Sequence, residues 1–193
     1  MQGRIVANTD RLLEESVVTT RLYRAARGVT RDSAKTALQR MAASGKLLRL
    51  QRDVYVAPEA LVRAPLRVAN ALASPSYISL FTALAEEGMT TQNPREIQSI
   101  VYGRAKEIAP AQSSLRFSYM TVPTKAFTGF RLRDGVFLAE PEKAFLDLLY
   151  LRGRDFDWSS IETRKLRQTR LRRYVGLYPS RVARDLHILL PPR

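Results

Sequence analysis

Apolar and polar positions follow two different periods along the first third of the chain. Over residues 31–44, Ala34, Leu38 and Met41 recur at i, i+4 and i+7, which predicts a helix with one buried stripe. With about 100° between successive residues, the opposite face carries Asp32, Ser33, Thr36, Gln39 and Arg40, with Lys35 on its flank. A shorter helix precedes it. Thr19 or Thr20 caps that helix, Leu22, Tyr23 and Ala26 form its inward side, Gly28 turns the chain, and Thr30 caps the next. Residues 10–16 predict a first helix, with Leu12 and Leu13 inward and Glu14 and Glu15 outward. After Gly45 the period becomes that of strands: Leu47, Leu48, Leu50, Val54, Tyr55 and Val56 mark a two-stranded ribbon whose tip is Gln51-Arg52-Asp53. Helix, turn, helix and ribbon over residues 1–60 predict a winged helix-turn-helix.

The remainder predicts a second domain over residues 61–193, joined through a hinge at residues 58–65. Residues 66–73 read as a short helix. Ser74-Pro75-Ser76 reads as the start of another, with Ser74 as N-cap and Pro75 at the first helical position. Tyr77, Leu80, Phe81 and Leu84 follow at i, i+3, i+4 and i+7, and Gly88 ends the run. Residues 95–102 and 115–122 alternate as strands, and Asp134-Gly135 is a two-residue hairpin turn between residues 130–133 and 136–139. Pro141 opens a core helix reaching residue 151, with Ala144, Phe145, Leu148 and Leu149 inward, and residues 180–190 form an amphipathic helix. Tyr77, Phe81, Phe127 and Phe130 read as core. The fold class is α+β: a winged helix, then a domain with a small, mostly antiparallel sheet and a basic helical tail.

Charge changes the picture. The chain has a formal net charge of +14, with 32 Lys and Arg against 18 Asp and Glu. Residues 1–60 carry +5, residues 61–151 carry +2 and residues 152–193 carry +7, so both ends are basic. On a winged helix this points to double-stranded DNA, with Arg31, Ser33, Lys35, Thr36, Gln39, Arg40, Arg49 and Arg52 as the contact set. Asp32 is the odd member: it suits a helix N-terminus yet repels phosphate. The absence of cysteine excludes a disulfide framework and thiolate metal sites. No apolar run reaches the length of a membrane span, and the N-terminus lacks a signal-peptide core, so a cytoplasmic protein is expected. His187 stands alone. Glu140-Pro141-Glu142-Lys143 with Asp147 suits a helix start carrying an i,i+4 pair. With no glycine-rich phosphate loop either, neither an enzyme nor a cofactor is expected.

Two stretches carry a resemblance. Ser74-Pro-Ser-Tyr-Ile-Ser-Leu-Phe-Thr-Ala-Leu-Ala-Glu-Glu-Gly-Met89 and Leu138-Ala-Glu-Pro-Glu-Lys-Ala-Phe-Leu-Asp-Leu-Leu-Tyr150 resemble the signature segments of the AbiEi family. Arg52-Asp-Val-Tyr-Val-Ala-Pro58 is similar to that family's Arg-Gly-Val-Tyr segment, with Asp53 in place of the usual glycine. The resemblance covers about residues 10–151. It implies an antitoxin of a bacterial abortive-infection system that counters a nucleotidyltransferase-like toxin and represses its own operon at inverted repeats. It also implies two copies on one operator; with no leucine heptad in the sequence, a monomer is expected in solution. Lys143, Asp147, Arg167, Arg170 and Arg173 are the candidate surface for neutralising the toxin, though the basic tail could equally meet DNA phosphates. Two rival readings stand beside this one: a solitary regulator whose second domain senses a ligand or protein, and an enzyme acting on the toxin or a nucleotide.

Overall fold

A computed structural model of the chain describes residues 17–92, 95–111 and 113–191; the helix expected over residues 10–16 lies outside the described residues. The chain is a mixed α+β protein that divides into two units, one of residues 1–72 and 107–116, the other of residues 73–106 and 117–193.

In the first unit a two-residue strand, β1 (Val18–Thr19), leads into α1 (Thr20–Arg27), and residues 28–30 connect it to α2 (Arg31–Ala43). Both helices start where the sequence predicts. The Thr19 hydroxyl accepts from the Leu22 amide at 3.1 Å and the Thr30 hydroxyl from the Ser33 amide at 3.2 Å. Each satisfies a donor that the first helical turn leaves without an intrahelical partner. Gly28 ends α1 at φ 65°, in the left-handed region that glycine enters without steric cost. Ala34 and Leu38 are fully buried on α2, as their spacing predicts. The inward stripe expected on α1 is not realised. Leu22 is exposed, Tyr23 and Ala26 are half-buried, and Thr20 is the buried residue. The reason is a tether: the Thr20 hydroxyl donates to Asp53 Oδ1 at 3.3 Å, which turns that side of the short helix inward.

The ribbon of β2 (Leu48–Gln51) and β3 (Val54–Val56) pairs antiparallel, and β1 joins the other side of β3. Two residues are too few to show a period, which is why β1 is silent in the sequence. The hinge expected at residues 58–65 is instead helical, as α3 (Pro58–Arg63) and α4 (Pro65–Leu72). Each proline that reads as a loop marker opens a helix, where its missing N–H is not needed. Ala60, Leu61, Val68, Ala69 and Leu72 are buried, so the division between the units falls after Leu72.

The second unit contains β4 (Ser76–Ile78), α5 (Leu80–Glu86), β5 (Glu96–Val101), β7 (Arg116–Met120), β8 (Phe130–Arg133), β9 (Val136–Ala139), α6 (Pro141–Arg152), α7 (Gln168–Val175) and α8 (Ser180–Leu189); β6 (Lys106–Ile108) lies where the chain passes between units. Its strands take the order β7-β5-β4-β9-β8, with β4 antiparallel to β5 and parallel to β9. The helix expected from Ser74 is therefore a strand. Ser76, Tyr77 and Ile78 are all buried. An interior strand covered on both faces loses its alternation, so its apolar residues merge with the helical spacing of Leu80, Phe81 and Leu84 in α5. Leu80 opens α5 at φ 55°, held there as the following Phe81 amide donates to Gln98 Oε1 at 3.1 Å. The β8–β9 hairpin matches its prediction, with Asp134 and Gly135 at φ 50° and 77°. Along α6 every residue from Glu142 to Leu149 is buried, including the charged ones.

Candidate functional site

Two clusters of polar side chains stand out, one in each unit. In the first unit, α2 and the ribbon enclose a cleft of about 300 Å³ lined by Thr20, Arg31, Asp32, Lys35, Gln39, Arg49, Arg52, Asp53 and Tyr55. Five of the eight predicted contact residues thus meet at one place: Arg31, Lys35 and Gln39 from the helix, Arg49 and Arg52 from the ribbon. Ser33, Thr36 and Arg40 are exposed on α2 but do not line the cleft. Ser33 also serves the helix cap, its hydroxyl accepting from Thr30 at 2.9 Å. A second hollow of about 410 Å³ shares Thr20, Arg31, Arg52 and Asp53 and adds Arg21 and Arg24 of α1. The sequence reading missed these two arginines. Their i, i+3 spacing was the available signal, obscured because that helix was read from its apolar residues.

Asp53 shapes the ribbon tip. It sits at φ 57° in the turn between β2 and β3, a conformation aspartate tolerates better than most residues. Its hydrogen bond from Thr20 ties the tip to the start of α1. Asp53 and Asp32 place two carboxylates among the cations of the cleft, so the site is a patterned one, with places for anions and places that reject them.

In the second unit, Lys143 and Asp147 of α6 are fully buried, which corrects their assignment to an exposed partner surface. The Lys143 ammonium donates to the Tyr77 and Tyr178 hydroxyls at 2.7 Å each and to Asp147 Oδ1. Asp147 also accepts from Tyr178 at 2.7 Å, Ser79 at 2.7 Å and Tyr77 at 3.1 Å. Three ammonium protons and four acceptor positions are all used, so the ion pair sits in the core without an unmet bond. Helix periodicity gives the i,i+4 pair but cannot show that Tyr77 of strand β4 and Tyr178, from the segment between α7 and α8, close over it. Burial pulls the Lys143 pKa below the ordinary lysine value while Asp147 pulls it back. The tail arginines differ among themselves. Arg170 pairs with Glu140 at 3.4 Å and Glu142 at 3.7 Å, whereas Arg167 and Arg173 are exposed, Arg173 lying 5.6 Å from the Tyr174 ring centre.

The buried phenols give a test by titration. Burial, reinforced by Asp147, raises the Tyr77 and Tyr178 pKa values far above the ordinary 10.0, and burial alone raises that of Tyr119. A folded-state pKa raised in this way contributes stability that is present below about pH 10 and is lost as pH climbs beyond it. In an alkaline titration followed by tyrosinate absorbance, these three of the eight tyrosines are expected to ionise only as the protein unfolds. Ionisation of all eight in one step, with the circular dichroism still native, would contradict the network.

His187 is exposed on α8. Among the described residues no group of three or more His, Cys, Asp or Glu is placed to hold a metal ion, and no helix is long and apolar enough to cross a membrane. No family model matches the chain, and a search of curated proteins finds no similar sequence.

Proposed function

We propose that the first unit is a winged helix-turn-helix that binds double-stranded DNA, with α2 as the recognition helix and the β2–β3 ribbon as the wing. The observation that carries this reading is the convergence of Arg31, Lys35 and Gln39 with Arg49 and Arg52 on one exposed cleft. Forked and flexible cations there suit phosphate oxygens and guanine edges, Gln39 suits an adenine edge, and Asp32 suits a cytosine amino group. As an autoregulatory repressor, the chain would seat two copies on an inverted repeat upstream of its own operon.

For the second unit we propose the antitoxin role that the AbiEi resemblance implies. The two stretches carrying that resemblance meet in the fold, because Tyr77 and Ser79 of the first bond Asp147 of the second. They are core-building segments, so contact with a toxin falls to exposed residues such as Arg167 and Arg173. Such contacts would require an acidic face on the nucleotidyltransferase-like partner.

Fluorescence anisotropy of the full chain with its upstream DNA, against shuffled DNA, tests the first role. Co-expression with the adjacent gene, scored by growth, tests the second. With expression driven from a foreign promoter, cleft variants that lose the operator should still protect cells. Protection that disappears together with operator binding would leave repression alone as the explanation, the solitary-regulator alternative.

A further inference from the structure

Strand β8 ends the second unit's sheet, and on it Leu132 is 63% exposed. Leu132 lies directly opposite Phe137 of β9, itself 44% exposed, so the two share one face. That face continues as a run of rings: Phe137 to Phe130 at 6.0 Å, Phe130 to Phe127 at 5.4 Å, and Phe127 to the exposed Tyr102 at 5.4 Å. On the opposite face of the same strand, the charges cancel internally. Arg131 pairs with Glu87 at 3.4 Å, and Arg133 with Glu87 at 2.6 Å and Glu86 at 3.8 Å.

We infer that this edge is where a second copy of the chain pairs, β8 against β8, about a two-fold axis. The choice of partner rests on charge. A chain of +14 repels its own copies across most of its surface. At β8, apolar exposure coincides with basic residues that already hold their counter-charges, so two copies meet there without uncompensated repulsion. An acidic partner would instead need free cations at the strand, and these arginines are engaged by Glu86 and Glu87.

Geometry then sets the register. A two-fold axis perpendicular to the sheet keeps like faces together, so the axis passes through a residue pair and not between pairs. Placing Leu132 on the axis sets it against its own copy on the apolar face, with Arg131 opposite Arg133 of the second copy on the other face. A four-residue strand and a few side chains bury less than the roughly 1,200 Å² of a stable interface. The pairing is therefore weak in free solution and strengthens when an inverted repeat holds two copies together. It does not depend on DNA binding for its detection.

Because the chain has no cysteine, Leu132→Cys introduces a single thiol. Directly opposed residues of an antiparallel pair lie at Cα separations of about 4.5–5.5 Å, within disulfide range. Under mild oxidation Leu132→Cys is expected to form covalent dimer about tenfold faster than the exposed-site controls Val62→Cys and Ile188→Cys, because pairing raises the local thiol concentration. Sedimentation of the wild-type chain without DNA should show reversible dimerisation at the highest concentrations, lost in Leu132→Lys. Crosslinking no faster than the controls, or a wild-type chain that stays monomeric throughout, overturns the inference. So does a dimer that Leu132→Lys leaves intact.

Discussion

Lys143→Met is expected to cost about 3–5 kcal/mol of folding stability, because it strips a fully buried Asp147 of its counter-charge. That is a large part of the roughly 5–15 kcal/mol that holds a natural domain together. The remaining donors, Tyr77, Ser79 and Tyr178, still bond the carboxylate, but neutral hydroxyls cannot balance its charge in a dry interior. Asp147→Leu should also destabilise, leaving the ammonium stranded. The double variant should lose less than the sum of the two, with a coupling of about 0.5–3 kcal/mol. Urea unfolding with matched slopes measures all three. If Lys143→Met lowers stability by under about 1 kcal/mol, the closed network described above is wrong. Under the proposed antitoxin role, loss of protection in these variants would report a collapsed core, and the exposed Arg167 and Arg173 are the residues on which to test toxin contact.

The second large effect concerns DNA. Replacing Lys35, Arg49 and Arg52 together with alanine is expected to reduce operator affinity by about two decades at moderate salt. If about six phosphates are neutralised by the wild-type chain, the slope of log affinity against log salt should change from about −5 to about −3. All three side chains are exposed, so the unfolding midpoint should move little. Asp53→Asn should act in the opposite sense. Asparagine accepts the left-handed backbone and keeps an acceptor for Thr20, but removes a negative charge from the cleft, so binding should strengthen several-fold. Binding indifferent to salt and to both sets of changes would remove the cleft as the DNA surface. Opposite shifts from neighbouring residues would be difficult to produce by misfolding.

The local elements were readable wherever a short-range rule decides the outcome. Thr19 and Thr30 cap helices because their hydroxyls reach an amide three residues on, and Asp134-Gly135 turns the hairpin because both tolerate positive φ. The polar face of α2 was equally legible, since helix phase alone puts Arg31, Lys35 and Gln39 outward together. What failed was judged from residues whose environment comes from afar. Pro58 and Pro65 looked like a hinge, yet burial of Ala60, Leu61 and Leu72 made those segments part of the first unit. Ser76 to Ile78 looked helical because a strand buried on both faces has no period to display.

The sequence by itself therefore determined the starts of α1 and α2, the ribbon and its basic flank, the hairpin, and the charge that makes an anionic partner reasonable. Tertiary structure alone decided which charges are usable. Lys143 and Arg49 are both cations in a chain rich in them, but one is sealed among Tyr77, Tyr178 and Asp147 while the other lines an open cleft. Sequence spacing records which face of its own helix or strand a side chain takes. Whether that face meets water or a neighbouring element depends on residues tens of positions away, such as Tyr77 and Tyr178 about Lys143, and only packing brings them there.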